Sequence, residues 1–134
     1  MKTLTLPCAL AAIALAAAPA QAETAQEIDG YFDDIWQYAV PPVDDCAAGN
    51  DEFGQCGRLA EDLICSVNAM YFVLDESGMM GRFAKDLTEL NEQLSRHADY
   101  FNELIEAGKM RNPATMPTAQ MRQYCRQLPS TVYP

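Results

Sequence analysis

The sequence predicts an all-α fold: a small antiparallel helical bundle of three main helices plus a short C-terminal helix, stapled by two disulfides. Three observations predict it. Apolar residues recur at steps of three and four over long stretches, the period of an amphipathic helix. No segment alternates polar and apolar side chains for long enough to be a strand. Four cysteines, an even number, remain once an N-terminal export signal is set aside.

Residues 1–22 have the layout of that signal. Lys2 supplies the positive start, Leu4 to Ala18 the apolar run, and Ala20-Gln21-Ala22 a small-x-small cleavage site before Glu23. The run is interrupted by Pro7, followed by Pro19, and falls short of the roughly 20 residues a bilayer span needs; no later segment qualifies. The expected mature protein is therefore a soluble, exported single domain of residues 23–134, periplasmic or secreted.

Thr24-Ala25-Gln26-Glu27 has the S/T-x-x-E form of a capping box, so the first helix is expected to start there. Ile28, Phe32, Ile35, Trp36 and Ala39 make its apolar stripe, with Asp29, Asp33 and Asp34 off it. Pro41-Pro42 is expected to end it. Val43 to Gln55, rich in Asp, Gly and Asn, reads as a loop with at most one helical turn near Cys46.

The second helix, Gly57 to Glu76, carries Leu59, Leu63, Val67, Met70, Tyr71 and Leu74 on one face and Ile64, Cys65, Phe72 and Val73 on others. A helix apolar nearly all round is a buried one, so it belongs in the middle of the bundle. Ser77-Gly78 closes it. The third helix, Met79 to Ala107, shows a heptad seam of Met80, Phe83, Leu87, Leu90, Leu94, His97, Phe101 and Leu104. Arg82 with Asp86, Lys85 with Glu89 and Glu92 with Arg96 offer i,i+4 pairs on its outer face. Gly108 ends it, Pro113 and Pro117 break the linker, and a short helix from Thr118 to Leu128 turns Met121, Cys125 and Leu128 inward before Pro129.

Helix geometry selects among the three possible pairings of Cys46, Cys56, Cys65 and Cys125. If one helix covers Cys56 and Cys65, a rise of about 1.5 Å per residue holds them far beyond the ~7 Å that bridged Cα atoms allow. That disfavours Cys56 with Cys65, and with it Cys46 with Cys125. The preferred pairing is Cys46–Cys56, closing a local loop, and Cys65–Cys125, tying two helices. Zinc is the competing use of four cysteines, but no C-x-x-C pair exists.

Charge is uneven. Loss of Lys2 leaves eight basic against nineteen acidic residues; Glu23 to Glu76 holds thirteen acids against Arg58 alone. Nucleic acid and anionic lipid are poor partners for such a surface, since binding them relies on Lys and Arg. A basic protein suits it, although surplus acid also serves plain solubility. Lys109, Arg111, Arg122 and Arg126 form a basic end segment able to dock against the acidic half.

No catalytic or cofactor motif emerges. His97, the only histidine, has no identifiable nucleophile partner; on the seam, near methionine, it is the one residue that fits haem ligation, with no C-x-x-C-H attachment motif beside it. A hydrogen-bonded histidine at the core edge is the simpler account. Asp44, Asp45, Asn50, Asp51 and Glu52 carry enough oxygens for calcium without the EF-hand spacing. Asp33-Asp34, Asp44-Asp45 and Glu61-Asp62 are adjacent on the chain and point apart, which does not suit glycoside cleavage. The linker methionines Met110 and Met116 are expected to be accessible, and methionine chiefly fills gaps. Tyr31, Trp36 and Tyr38 are the best candidates for an exposed aromatic patch, with Asp34 beside them.

The expected function is a non-enzymatic, protein-binding module of the cell envelope, of inhibitor, immunity or adaptor type, with no cofactor. Tyr31, Asp34, Tyr38, Asp44, Asp45, Asp51 and Glu52 are its candidate contacts with a basic envelope protein. In general character the chain is similar to small exported helical proteins of bacterial envelopes, such as toxin-immunity proteins and acid-stress chaperones; the likeness is one of type, since no motif of either can be laid on these residues. An acid-stress chaperone is the alternative, and a haem or metal carrier using His97 is the third reading.

Overall fold

The computed structural model describes residues 23–51 and 54–128; residues 1–22, where the export signal is expected, Glu52 and Phe53, and the tail from Pro129 lie outside the described residues. Among the described residues there is no strand, and the fold is all-α.

The first helix, α1 (Ala25–Asp34), starts where the capping box predicts. The Glu27 N–H donates to Thr24 Oγ1 at 3.2 Å. Pro41-Pro42 does not end the helical path, which corrects the expectation. A π turn (Ile35–Ala39) leads directly into α2 (Val40–Ala47), covering the first residues of the expected loop. Prolines can neither donate at i−4 nor tolerate the i−4 carbonyl against the ring, but they are accepted in a first helical turn. The widened turn supplies that: the Val40 N–H reaches back five residues to the Ile35 carbonyl, and both prolines fall at the start of α2. The extra residue moves the inward stripe by one. Ile28, Phe32, Ile35, Val40 and Val43 are buried, Ala39 is half-buried and Trp36 is turned outward.

The central helix, α3 (Cys56–Ser77), is buried on nearly every side and packs on α1, the π turn, α2 and the later helices. Gly78 closes it at φ 69°, a left-handed conformation that favours glycine, with the Met79 N–H on the Leu74 carbonyl.

The expected third helix is broken. Residues 79–83 turn, α4 spans Ala84–Arg96, and α5 spans Ala98–Glu106. A straight helix drifts roughly 20° per heptad from a strict seven-residue seam. The break at His97 resets that drift: the His97 N–H donates to Leu94 at i−3, and the seam resumes with Phe101 and Leu104 buried. Phe83, Leu87 and Leu90 are buried on the first arm, Phe83 stacking on Phe32 at 5.7 Å between centroids, whereas Met80 faces out. Arg96 turns to Gln93 Oε1 at 3.1 Å rather than to Glu92.

Gly108 closes α5. The linker passes through a 3-10 turn (Pro113–Thr115) into α6 (Thr118–Arg126). Met110 is not accessible as expected; it joins the main core, where its flexible thioether fills space under the linker. Both preferred disulfides are present, Cys46–Cys56 with Cα atoms 5.7 Å apart and Cys65–Cys125 at 5.5 Å. The second sits in a small core of its own with Met121, against which Phe72, Met116, Tyr124 and Leu128 pack. No described helix is long and apolar enough to cross a membrane.

Candidate functional site

The α1–π–α2 rod carries six acids and no base between Ala25 and Ala47. Its buried stripe fixes which side faces out. Asp29, Asp33 and Asp34 are exposed, and on the π turn Trp36 is 37% and Tyr38 65% exposed. Large aromatics left in water on a well-anchored helix are unusual, because burying either would remove substantial apolar area from solvent. The π turn is the local reason, since it rotates these side chains off the stripe that the remaining apolar residues follow.

The candidate contact residues separate. Tyr31 is half-buried against the core, and burial, then the neighbouring Glu23 carboxyl, pushes its phenol up. Glu23, hydrogen-bonded to Glu27, holds the Glu27 carboxyl below its usual range, and the Thr24 hydroxyl and amide act in the same direction. Asp34 and Tyr38 stand free on the outer side.

Asp44 is half-exposed but tied across the bundle. Its Oδ1 lies 2.7 Å from His97 Nε2 and accepts from Gln93 Nε2 at 2.8 Å, so it joins α2 to the α4–α5 break. A carboxylate accepts, so Nε2 carries the hydrogen of this bond. The arrangement resembles a base with its orienting acid, but no hydroxyl or thiol among the described residues hydrogen-bonds the imidazole. The pair latches α2 to the α4–α5 break, with Phe101 set edge-on to the His97 ring at 6.1 Å.

Asp45 and Asp51 are exposed and line one shallow concavity of about 240 Å³ over the Cys46–Cys56 bridge, with Asn50 and Gln55. Tyr31, Asp34 and Tyr38 line no part of it. Asp51 also approaches Tyr100, whose phenol is pushed up by burial and by the charges of Asp51 and Glu103. Glu52 lies outside the described residues. Among the described residues no three His, Cys, Asp or Glu side chains gather where a metal ion would sit.

Two polar clusters escaped the sequence reading. One is the Asp44 latch: Gln93 and His97 share a helix face by their i,i+4 spacing, but nothing in the chain points to an acid so far upstream. The other is Glu61, buried on α3, which accepts from the Arg111 N–H at 2.7 Å and from the Tyr124 hydroxyl at 2.6 Å. Burial, then the Glu61 hydrogen bond, pushes the Tyr124 phenol up to about 12. The basic end segment is partly spent in the same region. The Arg111 guanidinium lies over the Tyr124 ring, while Arg122 stacks 4.6 Å from the Phe72 centroid and pairs with Glu76 at 3.3 Å. These contacts of Arg111 and Arg122 are made with Tyr124, Phe72 and Glu76, none of which belongs to the rod.

No protein-family model, curated protein or solved structure matches this chain.

Proposed function

We propose that the chain is an exported, non-enzymatic binding protein of the cell envelope whose α1–π–α2 rod docks a basic partner protein. One observation carries the reading: Trp36 and Tyr38 are exposed on the π turn beside Asp33 and Asp34, on a rod that holds no Lys or Arg. Aromatic anchors supply most of the energy at protein interfaces, and a surrounding field of one sign steers the opposite charge into place. Two disulfides support an oxidising compartment, in keeping with the export signal.

The test is capture from envelope extract by the disulfide-bonded protein at low and high salt, beside the double variant Trp36→Ala/Tyr38→Ala. A basic protein retained at low salt, released as screening shortens the range of attraction, and lost in the double variant is the expected result. Retention indifferent to both salt and substitution, or none at all, overturns the proposal.

A further inference from the structure

Away from the acidic rod, α3 and the bent α4–α5 arm enclose a groove of about 400 Å³. Its composition is unlike the rest of the molecule. In a chain with a net charge of −10, no charged side chain lines it, and four of the five asparagines do: Asn68, Asn91, Asn102 and Asn112. Ile64, Val67, Leu94 and Phe101 form its apolar floor. The break at His97 shapes it, because the turn from α4 into α5 brings the small Ala98 and then Phe101 round to face α3.

The amides are only partly used within the protein. Asn68 donates from Nδ2 to the Ile64 carbonyl of its own helix, and Asn91 donates from Nδ2 to the Tyr71 hydroxyl. Asn112 accepts the Ala114 N–H at Oδ1, while the side chain of Asn102, on the exposed side of α5, makes no hydrogen bond among the described residues. Left over are acceptors on Asn68 and Asn91, donors on Asn112 and Tyr71, and both ends of Asn102. These stand on both walls above an apolar floor.

We infer that this groove binds a short, uncharged, extended peptide segment. A cationic ligand would find no carboxylate there and an anionic one no Lys or Arg, so the occupant is neutral. A carboxamide is the peptide group in side-chain form, and an extended backbone presents donors and acceptors along both of its edges, matching amides on two facing walls. Alternate side chains of such a segment would reach the Ile64, Val67, Leu94 and Phe101 floor. This site is separate from the rod and does not depend on the basic partner.

The probe is an N-acetylated, C-amidated pentapeptide of alternating Val and Ser, followed by magnetic resonance of the asparagine side-chain amides in the disulfide-bonded protein. Saturable shifts at Asn68, Asn91, Asn102 and Asn112 are expected. Asn102→Ala, which removes an unbonded group and spares the fold, weakens binding about five-fold for one lost hydrogen bond, and Ala98→Trp, which fills the groove, abolishes it. The same peptide with Glu or Lys in place of Ser binds more weakly. No shift at the four amides, equal binding by Ala98→Trp, or saturation by a compact neutral heterocycle such as uracil but not by the peptide overturns the inference.

Discussion

Gly57 stands one residue into α3, where a methyl group placed on it would fall on the Lys109 carbonyl oxygen. Glycine inside a helix ordinarily costs about 0.5–1 kcal/mol relative to alanine, so Gly57→Ala would stabilise an open site. Here the neighbour is backbone, which cannot swing aside, and overpacking of that kind costs about 1–3 kcal/mol. The clash wins: Gly57→Ala is expected to lower the urea midpoint, and an unchanged or raised midpoint would refute the close approach. Tyr124 gives a second test. Its phenol is pushed up to about 12 from an ordinary value of 10.0, chiefly by burial and then by the bond to Glu61. Because the folded value is the higher one, the neutral phenol's contribution is whole below pH 10 and is lost as pH rises through about 12. In a phenolate absorbance titration, the latest phase is expected to vanish in Tyr124→Phe. Neither residue stands out in the sequence, since Gly57 reads only as the start of the second helix and Tyr124 lies on a short polar helix; both matter through contacts with distant segments.

The π turn shows how a local rule and a packing demand are reconciled. Pro41-Pro42 reads as a stop, and by backbone chemistry it is one, yet Val40 and Val43 have to reach the core that Ile28, Phe32 and Ile35 have begun. One extra residue in the turn meets both conditions. Deleting Gln37 is therefore expected to convert the turn to ordinary α-helix while keeping the inward stripe in register. Helicity by circular dichroism would survive, and capture of the basic partner proposed above would fall because Trp36 and Tyr38 are re-aimed. Collapse of the fold on that deletion would mean that the turn holds the stripe rather than adjusts it. The candidate contacts were legible only in part for the same reason. Asp34 and Tyr38 are outside, as their position off the stripe implies, while the half-exposed Asp44 is tied to Gln93 and His97 across the bundle. Likewise the heptad seam reveals which residues of α4 and α5 face inward but not the break between them, which depends on accumulated drift and on that distant carboxylate.

For the molecule as a unit, the all-α class, the central place of α3 and the cysteine pairing were all legible, because they rest on helical period, hydrophobic content and helix length alone. The bridges differ in what they close. Their sequence separations are 10 and 60 residues, and chain-entropy arithmetic gives about 3 and about 4 kcal/mol respectively. Replacing Cys65 and Cys125 together by alanine is thus expected to cost more in urea denaturation than replacing Cys46 and Cys56; the reverse order would place the stabilisation in local strain instead.

Both bridges spring from α3, and this makes two covalent rings on either side of a short buried stretch between Cys56 and Cys65. Every described turn between helices after α2 falls inside one ring or the other. A protease that nicks the backbone at any one of these exposed turns therefore leaves a molecule of unchanged mass, apart from the water added, on a gel run without reductant. Thiol treatment of the same sample would release two fragments. In this chain, cutting is thereby uncoupled from coming apart.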